Sequence, residues 1–167
     1  MKKIILFVSL IWASGILMTN VYNSLIDAKS WGSDIPNSIL AARQYFKTVD
    51  PGDFYRVFSP INQVLGLLSV ILFWKAGRNI RLVLIGAFVL YFAADMFTFA
   101  YFYPRNDIMF REAMDLEKIR NAWEGWTTMN WLRTLMVAAG VFGTAFSLNA
   151  VYARRIVSKV SSQRLAA

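Results

Sequence analysis

WTTMNWLRTLMVAAGVFGTAFSLNAVY, residues 126 to 152, carries a single charged residue, Arg133. The run exceeds the ~20 residues a helix needs to cross ~30 Å of hydrocarbon. Apolar residues fall on all of its faces, so strict barrel-strand alternation does not fit. Yet Asn130 and Arg133 stand near its start, between Trp126, Trp131 and Leu132. A helix bound for lipid must place these two polar groups somewhere other than lipid.

Three further runs have the same character: 4–26, about 57–74 and about 80–103. The fold class expected is all-α, an integral membrane four-helix bundle with short helices in the outer loops. One domain is expected over 1–167, with spans about 4–26, 57–74, 80–103 and 126–152. Composition agrees. Of 167 residues 57% are hydrophobic and 17% charged, against about a quarter charged in soluble domains. The first run follows Lys2 and Lys3. It exceeds the usual ~7–15-residue apolar core of a cleaved signal, and no A-x-A site follows it. An uncleaved first span is expected.

The sequence has no cysteine and no histidine. That excludes disulfides, thiolate chemistry, His–Cys zinc sites and Ser–His–Asp triads. The net charge of +8 does not point to nucleic acid, because the basic residues flank apolar runs as in membrane proteins. With the N-terminus inside, the inner segments hold Lys2, Lys3, Lys75, Arg78, Arg81, Arg154, Arg155, Lys159 and Arg164 and no acid. The outer segments, 27–56 and 104–125, mix eight basic with nine acidic residues. Dense basic clusters beside helix ends place both termini in the cytoplasm, with a bacterial inner membrane as the expected location.

The outer segments are not featureless. Residues 34–47 have a capping Asp34, an early Pro36 and a helical pattern that puts Ile39, Ala42 and Phe46 on one face. Asp50-Pro51-Gly52-Asp53 reads as a turn or as the capped start of the second long helix. Residues 111–123 alternate acids and bases at helical spacing. They read as a short interfacial helix or a solvated connector. Trp74 and Trp126 read as interfacial belt residues. Trp131 with Tyr101, Phe102 and Tyr103 read first as belt residues too, with the mouth of a pocket as the alternative.

Polar groups within the spans cluster on one side of the membrane: Asn20 and Asn23, Asn62 and Gln63, Asp95 and Thr98, Asn130 and Arg133. Asn20 and Asn23 share a helix face. At 1.5 Å per residue, Asp95 lies about 12 Å below Tyr103 and Arg133 about 10 Å below Trp126. Matched depth and opposite charge predict an Asp95–Arg133 contact, direct or through water. Such groups can serve merely as interhelical glue. So many at one depth favour an outward-facing polar pocket. Gly140 and Gly143 point to close packing, within the bundle or in a homo-oligomer.

Tyr103-Pro104-Arg105-Asn106-Asp107, followed by Trp126-x3-Asn130-x2-Arg133-Thr134, resembles the anthrone oxygenase-like family of small four-span membrane proteins. The resemblance covers about residues 100–134. It implies a membrane bundle in which Asn106, Trp126, Asn130 and Arg133 are the shared residues. It also implies oxidation of an anthrone or another aromatic without metal or other cofactor. A proton acceptor would then be Asp95, a tyrosine such as Tyr22 or Tyr101, or the substrate itself. The candidate catalytic residues are Arg133 and Asp95. The candidate ligand-binding residues are Asn20, Asn23, Asn62, Gln63, Asn106, Trp126 and Asn130. Partners are the lipid bilayer and a small hydrophobic ligand. The alternative is a non-catalytic module that binds lipid or a partner protein, with the buried polar residues structural.

Overall fold

The computed structural model describes residues 2–165, and side chains as far as residue 153. The side chains of Arg154, Arg155, Lys159 and Arg164, on which part of the orientation argument rests, lie outside the described residues. Helix α1 (Lys2–Tyr22) passes through a π turn (Asn23–Asp27) into α2 (Ala28–Gly32), and α3 (Asn37–Tyr45) follows. Helix α4 (Pro51–Leu72) leads by a short turn to α5 (Arg78–Phe97). A second π turn (Thr98–Phe102) joins α5 to α6 (Tyr103–Phe110), and α7 (Leu116–Leu165) is the last element among the described residues. Four of these runs are long and apolar enough to cross a membrane: Lys2–Gly32, Pro51–Leu72, Arg78–Phe110 and Leu116–Ala153. The protein is an all-α integral membrane bundle.

The helices run up, down, up and down. Helices α1 and α5 each pack against both α4 and α7, so every neighbour is antiparallel. Lipid is as apolar as leucine, so burial of leucine does not drive such packing. Close backbone approach does, and the interior supplies small residues: Ser9, Ala13, Ala87, Ala94, Ser147. Large apolar groups point outward instead, with Phe142 74% and Leu135 65% exposed. Gly140 shows the constraint locally. A β-carbon there would stand 2.4 Å from Cε1 of Tyr91. The Tyr91 ring is buried, and its hydroxyl meets Thr144 Oγ1 at 3.1 Å. The close packing of Gly140 is therefore within the bundle.

The second span begins earlier than its apolar run. Asp50 accepts from the Gly52 amide at 2.6 Å, and the Asp50 amide donates to Asp53 Oδ2 at 2.9 Å. This reciprocal cap starts α4 at Pro51, whose missing N–H costs nothing at the first helical position. Of the two readings of this stretch, the capped start is the one formed. Helix α3 forms with Ile39 and Ala42 buried and Phe46 packed beside them, but Asp34 does not cap it: the helix starts after Pro36, and the Asp34 carboxylate accepts from the Asn37 side-chain amide at 3.0 Å.

A correction concerns residues 111–123. They do not form a separate interfacial helix. Helix α6 carries the third span to Phe110, and α7 starts at Leu116 and runs unbroken into the fourth span. No proline interrupts it, and Asp115 supplies the first-turn partner, accepting from the Lys118 amide at 3.2 Å. That bond holds the Asp115 carboxyl below its usual range. Two long helical runs therefore project together past the apolar zone, with α2 and α3 packed against them.

Gly140→Val should destabilise the bundle by about 1–3 kcal/mol through overpacking against Tyr91. Gly86→Ala, with open space at its β-carbon, should be neutral or slightly stabilising. Thermal unfolding in detergent, read by circular dichroism, compares the two.

Candidate functional site

Both π turns lie at the end of the bundle where α2, α3 and α6 gather. A π turn adds a residue to a helical turn and disturbs the regular ladder. At the first one, the Asn20 carbonyl takes the Ser24 hydroxyl at 3.1 Å and the Asn130 amide at 3.1 Å. Asn130 Nδ2 also donates to Ser24 Oγ at 2.5 Å. Its oxygen accepts from Arg133 Nη2 at 2.6 Å. Arg133 Nη1 reaches Thr98 Oγ1, at the start of the second π turn, at 3.3 Å. One chain of hydrogen bonds thus ties α1, α7 and α5 together around a buried guanidinium.

A direct Asp95–Arg133 contact is not formed. Asp95 Oδ2 accepts instead from Gln63 Nε2 at 2.7 Å, across α4 and α5. Asp95 lies one turn before Thr98 and its carboxylate faces α4. The long Arg133 side chain reaches the Thr98–Phe102 turn instead. Among the described residues Arg133 forms no ion pair. Its charge rests on aromatic faces, 4.3 Å from the Phe102 ring centre and 5.0 Å from that of Tyr55. The Tyr55 hydroxyl donates to Asn20 Oδ1 at 2.6 Å. The network is best satisfied with the Asn23 amide nitrogen donating to Thr19 O at 3.1 Å and Asp27 Oδ2 at 3.0 Å. The Asn23 oxygen then faces the Tyr55 hydroxyl.

Above this network opens a cavity of about 600 Å³, within the usual size of small-molecule sites. Arg133, Thr98, Tyr55 and Asn23 line its deep side. Trp31, Trp126, Phe46, Phe110, Tyr103 and Asn106 form its walls. Trp31 meets Phe110 at 5.0 Å and Trp126 at 5.1 Å, edge to face in both cases. Such pairs are worth about 0.5–1.5 kcal/mol each beyond their burial. The mouth is charged. Arg111 bridges Asp107 at 2.9 Å and Asp50 at 3.4 Å, while Arg56 pairs with Asp53. Arg43 donates to the Met109 carbonyl at 2.9 Å and so pins α3 to the end of α6.

Of the candidate residues, Asn23, Asn106, Trp126 and Arg133 line this cavity, and Asn20 and Asn130 stand directly behind it. Asp95, Asn62 and Gln63 do not line it. Trp126 is not a belt residue. It is 3% exposed and packs with Trp31 and Phe102, because α7 extends past it by ten residues instead of starting there. Trp131, 42% exposed, does not line the cavity, so of its two readings the pocket-mouth one is not formed. Phe102 is buried beneath the wall, and Tyr101 packs against Phe97 and Arg105. Tyr22 is 55% exposed. Tyr55, Trp31 and Phe46 were not foreseen as site residues, and Thr98 only as a member of the polar cluster. Tyr55, Ser59 and Asn62 share the i, i+4, i+7 spacing of one helix face, a signal that becomes readable once α4 is known to start at Pro51. Among the described residues no group of three acidic side chains stands ready to hold a metal.

The model of the anthrone oxygenase family matches residues 54–143, just over half of the chain. The chain belongs to that family. No curated protein and no solved structure matches it. The matched stretch holds Tyr55, Thr98, Asn106, Trp126, Asn130 and Arg133. The cavity's other walls, from Asn23 to Asp53, lie before it.

Asn130→Leu removes the bridge between α1 and Arg133 and should cost about 1–3 kcal/mol in thermal stability, since it leaves buried partners unpaired. Asp95→Asn keeps a group that can meet Gln63 and should cost less than about 1 kcal/mol. Loss of a true buried ion pair with Arg133 would instead cost about 3–5 kcal/mol.

Proposed function

We propose that the cavity binds a small, flat aromatic molecule and that the protein is a metal-free oxygenase. The observation that carries this reading is Arg133. A buried cation with no carboxylate partner, set between aromatic faces at the deep side of a cavity, is arranged to receive an anionic oxygen. A phenol or enol entering the cavity would place its oxygen against the guanidinium. The developing phenolate or enolate would be stabilised there by donors already in place. Tyr22 and Tyr101 lie away from the cavity and Asp95 faces α4, so the acceptor is the reacting substrate itself: the enol proton, whose acidity Arg133 raises, passes to the oxygen reduced at the ring carbon and leaves in water. The enolate carbon is then the reductant and O₂ the oxidant. The sum balances as a ring CH₂ plus O₂ giving a ring C=O plus water.

The cavity end faces the outside in this reading, with both termini in the cytoplasm of a bacterial inner membrane. The support is Lys2, Lys3, Lys75, Arg78 and Arg81 at the opposite end.

Purified protein in detergent should convert anthrone to anthraquinone in air, with one atom of ¹⁸O₂ entering the new carbonyl. Arg133→Ala should lower turnover at least ~100-fold, as loss of an oxyanion donor does, and Arg133→Lys should retain part of it. Binding with no turnover by the wild type would instead favour a non-catalytic binding module.

Orientation is read separately. In this cysteine-free sequence, a thiol at Met114→Cys should react with an impermeant maleimide in whole spheroplasts, and one at Ser162→Cys only after lysis. The reverse pattern would invert the topology.

A further inference from the structure

Charge is sorted at the cavity end of the bundle. Five of the residues that line the cavity are basic: Arg43, Lys47, Arg56, Arg111 and Arg133. Three are acidic: Asp50, Asp53 and Asp107. The other charged residues of segments 27–56 and 104–125 are four basic and six acidic. The cavity lining is therefore net positive, and the rest of the segments that build this end are net negative. Every acid in the lining is already engaged. Asp50 and Asp107 both pair with Arg111, and Asp53 pairs with Arg56. Three cations are left over. Arg43 is bonded to the neutral carbonyls of Met109 and Ile108. Among the described residues neither Lys47 nor Arg133 has an ion-pair partner. Arg133 is buried at the deep side, whereas Lys47 is exposed and so stands at the mouth. A cleft lined by an excess of one charge focuses its field on the opposite charge. A single phenolate or enolate at Arg133 would leave Arg43 and Lys47 uncompensated.

We propose that the ligand carries a second acidic group, a carboxylate, which Lys47 receives at the mouth within the field of Arg43. The substrate class is then a hydroxylated aromatic carboxylic acid. Its ring system fills the cavity with the enol oxygen toward Arg133 and the carboxylate toward water. A ring carboxylate lengthens a flat molecule without thickening it. At the mouth it keeps part of its hydration, so pairing with an exposed lysine avoids the desolvation cost of a buried ion pair. This rests on the reading of the cavity as a site for flat aromatic molecules and names their class. Lys47 has no part in the reaction at the ring carbon; it decides which aromatics are held. Anthrone, which lacks the acid, fills the deep part of the site alone.

The test is equilibrium binding of two stable quinones of matched shape, anthraquinone-2-carboxylate and anthraquinone-2-carboxamide. The full-length protein is used in an uncharged detergent, at neutral pH and low salt, where the acid is ionised and the amide is not. The carboxylate should bind about fivefold more tightly than the carboxamide, and high salt should shrink that ratio. Lys47→Gln should lower the ratio to about twofold, and Lys47→Glu should remove the preference. Both variants change an exposed side chain that has no ion pair, so both should fold. Equal affinities in the wild type would overturn the preference for an acid and leave the aromatic site standing. A preference that persists at full size in Lys47→Glu would put the carboxylate at Arg133 and overturn its assignment to the mouth. Failure of both quinones to bind the wild type would overturn both readings.

Discussion

A guanidinium inside a membrane bundle has few places to go. A charge facing hydrocarbon costs at least ~2.5–3.5 kcal/mol, and Arg133, 4% exposed, has no carboxylate bonded to it. Hydrogen bonds to Asn130 and Thr98 satisfy two of its nitrogens, and the Tyr55 and Phe102 rings take its faces. Each of these partners is then constrained in turn. Asn130 must reach the Asn20 carbonyl and Ser24, and Thr98 must sit at the start of a π turn. At the first π turn the irregular backbone is tolerated because Asn130, from a neighbouring helix, occupies the Asn20 carbonyl.

The same arrangement explains how a small bundle encloses a cavity. Helices α2 and α3 pack against the ends of α7 and α6. Trp31 locks against Trp126 and Phe110, while Arg43 ties α3 to the Met109 carbonyl. Further support comes from Trp123, whose indole donates to the Ala28 carbonyl at 2.7 Å. The family match begins at Phe54, so the groups around Arg133 lie largely inside it and the covering segment outside.

Much of this was legible before the structure. The apolar runs located four spans, because hydrocarbon imposes a length and a composition that few other environments require. The one-sided placement of Asn20, Asn23, Asn130 and Arg133 announced a polar cluster, and these residues do share one network. Asp95 shows where depth alone misleads. Rise per residue sets height along a helix axis, but a rotation of about 100° per residue sets direction, and Asp95 points toward Gln63. Trp126 misled for a similar reason. A tryptophan at the start of an apolar run looks interfacial until the helix is known to extend well before it.

The sequence by itself determined the class, the number of spans and the end of the bundle at which polar chemistry gathers. These follow from the cost of polar groups in lipid, which depends on composition and position along the chain. Only the tertiary structure decided which polar groups meet. The π turns at Asn23 and Thr98, the seat of Arg133 between Tyr55 and Phe102, and the cavity walled by Trp31 and Trp126 depend on rotation about helix axes and on segments distant in the chain. Those are settled by packing between helices, which no local run of residues encodes.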